Sequence, residues 1–107
     1  MLNIVTLNQS NLHQCISENR IMFLNFWAAW CGPCKMMSPI LDDIVEEFDH
    51  VEAMGRINVD ECFDISAKYR VENISTLLVL KEGKEIGRIE GYRNSDDMKA
   101  EIDRILR

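Results

Sequence analysis

Seven consecutive residues, Ile21 to Trp27, are almost all apolar, and only Asn25 interrupts them. Such a run is typical of a strand buried on both faces, as in a parallel sheet covered by helices. Thr76 to Leu80 has the same character. Residues 33–48 instead carry apolar side chains three and four positions apart, which predicts an amphipathic helix. Two buried strands with a helix between them indicate an α/β fold.

The rest of the chain alternates between strand and helix patterns. We predict strands at 3–6, 53–59 and 85–90, and helices at 9–18, at 61–69 and from Ser95 to the end. The predicted order is β-α-β-α-β-α-β-β-α, with a central mixed sheet of about five strands and four helices on its two faces. A chain of 107 residues suits one domain over 1–107.

The local signals within these elements are specific. Asn8 or Ser10 is the expected cap of the first helix, and Ser95 that of the last. Pro39 falls inside the long helix, where we expect a kink. Gly83 fits a left-handed position in the turn between the last two strands.

Charge and the N-terminal sequence limit the partners. Twelve basic and eighteen acidic residues give a net charge of −6, and no basic run is present. This balance disfavours nucleic acid and anionic membranes as partners. The N-terminal residues lack a basic start followed by a sustained apolar segment, so we predict no secretory leader and a cytoplasmic location.

The chain has four cysteines, Cys15, Cys31, Cys34 and Cys62. A secreted disulfide scaffold of this length usually has more. In a reducing compartment, two closely spaced cysteines indicate redox chemistry or metal binding. A zinc site needs two further ligands, and the other cysteines and histidines are isolated in the sequence, so the spacing favours redox chemistry.

Cys31 follows a buried strand and begins a helix, where free N–H groups and the helix dipole favour a thiolate. We therefore expect a lowered pKa for Cys31. Cys34 lies one turn further along the same face, within reach of the Cys31 sulfur, so it can release a substrate held as a mixed disulfide. Gly32 and Pro33 shape the turn, and Lys35 adds a nearby positive charge. We expect Cys15 in the core and Cys62 partly exposed at the start of the third helix.

The segment Phe26-Trp-Ala-Ala-Trp-Cys-Gly-Pro-Cys-Lys35 resembles the active-site segment of the thioredoxin family. The resemblance covers nearly the whole chain. Further matches are Pro39, the Asn58-Val59-Asp60 segment, Gly83 and Gly91. It implies the thioredoxin fold and an enzyme that reduces protein disulfides.

The resemblance also implies the roles of particular residues and partners. Cys31 is the nucleophile, Cys34 the resolving thiol, and no cofactor is needed. The implied substrate surface contains Trp30, Gly32, Pro33, Ile74, Gly91 and Tyr92. A thioredoxin reductase and disulfide-containing proteins are the implied partners, and we expect a monomer.

Two positions depart from the family pattern. Asn25 stands where the family has a buried Asp that accepts the proton of the resolving thiol, and an amide cannot take that proton. Arg56, which matches a family lysine, thereby loses its acidic neighbour. We expect Asn25 to favour stability at the expense of resolution by Cys34.

Ser75 occupies the position of the family's cis-proline. A cis bond before a residue other than proline costs about 2.5–4 kcal/mol, so we expect Ile74-Ser75 to be trans. These departures leave two alternatives: a thioredoxin-fold binding module with weakened redox activity, or a dimer that holds a metal or iron–sulfur cluster through the CxxC pair.

Overall fold

The computed structural model describes residues 3–107. Its strands are β1 (Asn3–Thr6), β2 (Ile21–Trp27), β3 (Ala53–Asn58), β4 (Thr76–Lys81) and β5 (Lys84–Glu90). Its helices are α1 (Leu12–Glu18), α2 (Gly32–Ile44), α3 (Phe63–Lys68) and α4 (Ser95–Leu106), and a 3-10 turn at Val45–Glu47 extends α2. The predicted element order and the α/β class are confirmed.

The five strands form one mixed sheet in the order β1-β3-β2-β4-β5. β3 runs parallel to β1 and β2, whereas β4 runs antiparallel to β2 and β5. Trp27 pairs with Asn58, and Phe26 pairs with Thr76. The segments after β2 and β3 and the segment before β4 therefore leave the sheet at the same edge.

Each face of the sheet has its own core. On one face, α2 and α4 pack through Met37, Leu41, Met98 and Ile102 against Phe23 and its neighbours. On the other face, α1 and α3 pack through Leu12 and Ile65 against Leu24, Phe26 and their neighbours. Because both faces are covered, β2 and β4 are buried along most of their length, as their apolar runs predict. Within residues 3–107, none of the helices has the length and apolar character needed to cross a membrane.

The first helix begins later than predicted, and its cap differs. Asn11 is its N-terminal cap, although the Asn11 side chain does not cap a helical N–H group. Instead, the Asn8 Oδ1 accepts from the Ser10 N–H, and the Asn11 Oδ1 accepts from the Asn8 N–H, both at 2.8 Å. These bonds close a turn over residues 8–11. Such local bonds compete with the helix, which therefore begins at Leu12.

Other helix ends also differ from prediction, and α3 spans Phe63–Lys68 where the sequence predicts 61–69. The α-helical part of α2 ends at Ile44, and the last predicted turn is 3-10 in form. Asn94, not Ser95, caps α4, and its Oδ1 accepts from the Asp97 N–H at 2.9 Å. Asn and Ser are about equally good caps, so the sequence could not choose between these neighbours. Pro39 lies inside α2, and Gly83 has the predicted left-handed conformation, with φ 81°.

The expectation of a trans Ile74-Ser75 bond is wrong, because the bond is cis. Contacts outside the dipeptide hold this loop. The Gly91 N–H donates to the Ser75 carbonyl at 2.8 Å, and the Thr76 hydroxyl donates to the Asn73 carbonyl. The Gly91–Ser75 bond joins this loop to the segment after β5, and the local preference of the dipeptide takes no account of such a contact.

Candidate redox site

Cys31 is the N-terminal cap of α2, and its sulfur accepts a hydrogen bond from the Cys34 N–H at 3.2 Å. The two cysteines form a disulfide, with their Cα atoms 5.3 Å apart. Cys31 is 4% exposed and Cys34 is 3% exposed. A sulfur at the start of a helix is stabilised as a thiolate by the free N–H groups and the dipole, which supports the reactivity expected of Cys31.

The local sequence explains why the helix begins at this sulfur. Cys31 has an extended backbone, φ −91° and ψ 110°, which is the usual conformation of an N-cap residue. Pro33 occupies the first turn, where its missing N–H removes no helical hydrogen bond. Gly32 and Lys35 are exposed in the same turn. The turn therefore presents the disulfide at the sheet edge.

A small apolar cluster surrounds the pair. Ala28, Cys31 and Cys34 form its buried centre, and Trp27, Val59 and Ile74 pack against it. These side chains come from the segments that follow β2 and β3 and from the loop before β4. Trp27 is partly buried, and its contact with the cluster gives it a packing role.

Trp30 lies at the surface with 68% of its area exposed. Its indole Nε1–H donates to the Asp60 carboxylate, at 3.0 Å from Oδ2 and 3.3 Å from Oδ1. No local sequence pattern predicts this bond, although Asp60 belongs to the Asn58-Val59-Asp60 segment that matches the family. The bond joins the segment after β2 to the segment after β3 beside the disulfide.

The other predicted surface residues lie in two adjoining loops. Ile74 packs on the cysteine cluster, and Ser75 beside it is buried. Gly91 has φ 87°, a conformation that favours glycine, and its N–H bonds to Ser75. Tyr92 is exposed. The structure thus brings Ile74 to the cysteines and connects the Gly91 loop to Ser75.

Asn25 and Arg56 are paired neighbours on β2 and β3. Asn25 is buried, and within residues 3–107 its Oδ1 has no hydrogen-bond partner, nor does the Nε of Arg56. Arg56 loses the acidic neighbour that the family has at position 25, but it forms an ion pair with Asp42 of α2 instead. Helix α2 supplies this carboxylate because Asp42 lies two turns beyond Cys34 and extends over the sheet.

The two remaining cysteines are free, and both lie on the opposite face of the sheet from α2. Cys15 packs against the core there as a partly buried residue. Cys62 is 5% exposed, so the expectation of partial exposure is wrong; its thiol approaches the Leu7 carbonyl at 3.7 Å. Burial, and to a lesser extent the Glu61 carboxylate, raises the pKa of the Cys62 thiol.

No group of three or more His, Cys, Asp or Glu side chains that could hold a metal ion occurs within the described part of the chain. The Cys31–Cys34 disulfide at the start of α2 is the centre of the candidate site.

Residues 3–104 match the family model named Thioredoxin. The chain is 31% identical over 102 residues to a thioredoxin of Alicyclobacillus acidocaldarius, with 95% of this chain and 97% of that protein covered. It is 33% identical over 103 residues to a thioredoxin of Staphylococcus epidermidis, with 96% and 98% covered. The chain belongs to the thioredoxin family.

Solved structures of thioredoxins agree with this assignment. A mutant thioredoxin from Halobacterium salinarum NRC-1 superposes with a TM-score of 0.84 and 27% identity, covering 98% of this chain and 92% of that one. The reduced Schistosoma mansoni thioredoxin pre-protein has a TM-score of 0.83 and 23% identity, with 96% and 98% covered, and supports the fold.

As a thioredoxin-family protein with a cysteine pair in a disulfide, the chain is a protein thiol–disulfide oxidoreductase. This finding favours the reductase prediction over the binding-module and cluster-binding alternatives. Thioredoxins need no cofactor, and the family in general works with a reductase and with disulfide-containing substrates.

Proposed function

We propose that Cys31 is the nucleophile and Cys34 the resolving thiol in the reduction of protein disulfides. The observation that carries this assignment is the position of the Cys31 sulfur, which caps α2 and accepts the Cys34 N–H at 3.2 Å. The same donors stabilise a thiolate on Cys31 after reduction. Cys34 lies inside the first turn of α2, beside Cys31, and is suited to release the substrate from the mixed disulfide.

The reaction consists of two exchanges. The Cys31 thiolate attacks one sulfur of the substrate disulfide, forms a mixed disulfide and displaces the other sulfur as a thiolate, which takes a proton from water. Cys34 then loses its proton and attacks the Cys31 sulfur, which releases the second substrate thiol and forms the Cys31–Cys34 disulfide. Two electrons pass to the substrate, and a reductase returns two electrons to the pair.

Substrates are proposed to dock on the apolar surface around the disulfide. Trp30, Ile74, Gly91 and Tyr92 lie on segments that meet at this sheet edge, and Gly32 and Pro33 are exposed in the turn that contains the two cysteines. Lys35 lies one residue beyond Cys34 and is exposed, so it adds a positive charge at the rim. Ser75 modulates the site by holding the Gly91 loop through its carbonyl.

Asn25 and Arg56 are proposed to modulate the second step. The amide of Asn25 cannot accept the proton that Cys34 loses, and Arg56 is already paired with Asp42. The proton of Cys34 then has to leave through solvent, which slows resolution. This arrangement also spares the fold a buried carboxylate.

The proposed setting is the cytoplasm, where the protein works as a monomer with a thioredoxin reductase and disulfide-containing proteins. A net charge of −6 and the lack of a basic run disfavour nucleic acid and membrane partners. We propose no metal or cluster, since one disulfide supplies the whole electron transfer.

Trapping the mixed disulfide tests the order of the two cysteines. Cys34→Ser, incubated with insulin, should accumulate a covalent complex through Cys31 that dithiothreitol dissolves, as seen by non-reducing electrophoresis and mass spectrometry. The matched control is Cys31→Ser, which should trap little insulin. Trapping through Cys34 in the second variant, and not through Cys31 in the first, would reverse the assignment.

The Asn25→Asp variant tests the modulating role. A carboxylate at this buried position should speed release of the substrate by Cys34, measured by stopped-flow fluorescence, and lower the free energy of unfolding at neutral pH. Asn19→Asp, at the end of α1, adds the same charge away from the pair and serves as the control. An unchanged rate of release in Asn25→Asp would count against the role.

A further inference from the structure

Phe63 is the most exposed of the large apolar side chains found exposed in the described residues, with 74% of its area in contact with solvent. It is the first residue of α3, directly after the buried Cys62. An exposed aromatic ring next to a reactive site commonly contacts a partner. Phe63 is not needed for either core of the sheet, so its apolar surface is free for such a contact.

The chain geometry places Phe63 close to the disulfide. Val59 packs on the cluster that contains Cys31 and Cys34, and Asp60 accepts the indole N–H of Trp30. The segment then turns tightly, since the Cys62 N–H donates to the Asn58 carbonyl at 2.9 Å. Phe63 follows three residues after Asp60, within about 10 Å of it along the chain.

The surroundings of Phe63 are acidic. Asp60, Glu61 and Asp64 are exposed on either side of it, and the five ion pairs formed within residues 3–107 involve none of these three carboxylates. Asp60 and Asp64 accept neutral hydrogen bonds, from Trp30 and Gln9 respectively. Their negative charge is therefore not neutralised by a base, and it favours a cationic partner.

We propose that Trp30 and Phe63, together with the carboxylates of Asp60, Glu61 and Asp64, form a specificity surface for substrates. It would select disulfides that have an apolar residue and a lysine or arginine next to the reacting cysteine. The apolar side chain contacts the two aromatic rings, and the cation lies against the carboxylates. This proposal rests on the reductase function above and names a substrate class for it.

Two synthetic peptides test the proposal. They have the same length and one internal disulfide; one carries leucine and lysine beside it, and the other carries leucine and glutamate. The protein should reduce the lysine peptide with a several-fold higher kcat/KM. Phe63→Ala should lower kcat/KM for the lysine peptide several-fold, mainly through KM, and leave the rate with a small, uncharged aliphatic disulfide reagent, which is too short to reach Phe63, unchanged.

Matched control variants distinguish an effect of this surface from the general effect of losing an exposed apolar side chain or a negative charge. Ile86→Ala removes an exposed apolar side chain from β5 and should change neither peptide rate. Glu61→Gln should reduce the preference for lysine, whereas Asp103→Asn, with the same change of net charge on α4, should not.

Two results would overturn the proposal, and they differ in meaning. Equal rates for the two peptides and no effect of Phe63→Ala, with the small reagent still reduced, would overturn the specificity surface alone. Failure of the unsubstituted protein to reduce the peptides and the small reagent would overturn the proposed function as well.

Discussion

Cys31 and Cys62 occupy corresponding places, since each precedes the first residue of a helix that follows a strand of the parallel part of the sheet. Their environments differ. The Cys31 sulfur accepts the Cys34 N–H, whereas the Cys62 sulfur makes no capping bond and approaches the Leu7 carbonyl instead. One sulfur faces helical donors, and the other faces an acceptor.

The difference shows that a position at the start of a helix does not by itself produce a reactive thiol. α2 has 13 residues and contains the partner Cys34 in its first turn, whereas α3 has six residues and contributes Ile65 to the core. Burial and Glu61 raise the pKa of Cys62. The direction of the sulfur and the presence of a second thiol decide its chemistry.

The largest effect is expected in turnover. Cys31→Ser should reduce insulin reduction in the presence of dithiothreitol to the background rate, because no thiolate remains to attack the substrate. Cys62→Ser should leave the rate unchanged. Loss of activity in Cys62→Ser, with an unchanged unfolding transition, would contradict the contrast between Cys31 and Cys62.

The next effect is expected in alkylation of the reduced protein. At pH 7, iodoacetamide should modify Cys31 at least about tenfold faster than Cys62, because each pKa unit changes the thiolate fraction about tenfold. Because its pKa is raised, Cys62 deprotonates only at higher pH than an ordinary thiol, and its rate should keep rising in alkali after that of Cys31 has levelled off. Mass spectrometry of each peptide measures both rates, and equal rates at pH 7 would contradict the contrast.

A smaller effect is expected in stability. Cys62→Ala should lower the free energy of unfolding by about 0.5–1.5 kcal/mol, the range for removing one buried group of methyl size. Cys15→Ala is the matched control and should lower it less, because Cys15 is only partly buried. Urea unfolding under reducing conditions measures both values. An unchanged free energy of unfolding in Cys62→Ala would argue against tight packing of that sulfur.

The smallest effect concerns the far end of α3. Arg88 donates to the Tyr69 and Arg70 carbonyls there and forms an ion pair with Glu85. Glu85→Gln should lower stability by about 0.2–1 kcal/mol at neutral pH, as is usual for pairs near the surface.

The pH dependence of this pair has a defined sign. Hydrogen bonds from Arg88 lower the pKa of Glu85, so the pair stabilises the fold above the ordinary carboxyl pKa and stops doing so as pH falls through the lowered value. The difference between Glu85→Gln and the unsubstituted protein should therefore vanish in acid. Glu82→Gln is the control, because it removes the carboxylate of the Arg20–Glu82 pair, which is more exposed than the Arg88–Glu85 pair. It should have almost no effect on stability at any pH.

The elements and the cysteine pair could be predicted because their signals are local. Apolar runs, helical spacing and the Cys-Gly-Pro-Cys turn each lie within a few neighbouring residues. The start of α1 was predicted too early, because Asn8 and Ser10 are both good caps and the turn over residues 8–11 forms only in the folded chain.

The features that were missed depend on residues far apart in sequence. The Trp30–Asp60 hydrogen bond and the Arg56–Asp42 ion pair join separate elements. Both follow from the placement of helices on the sheet and from strand register, which sequence patterns do not define. The burial of Cys62 against the segment after β1 has the same origin.

The near-complete burial of the Cys31–Cys34 disulfide has a kinetic consequence. Because Cys31 and Cys34 expose only 4% and 3% of their surface, a reagent can reach the sulfurs only through that small accessible area. A substrate protein and the electron donor that reduces the disulfide must both use this area. They therefore compete for it and do not bind at the same time. Turnover should follow a ping-pong order, and excess oxidised substrate should compete with the electron donor for the oxidised protein.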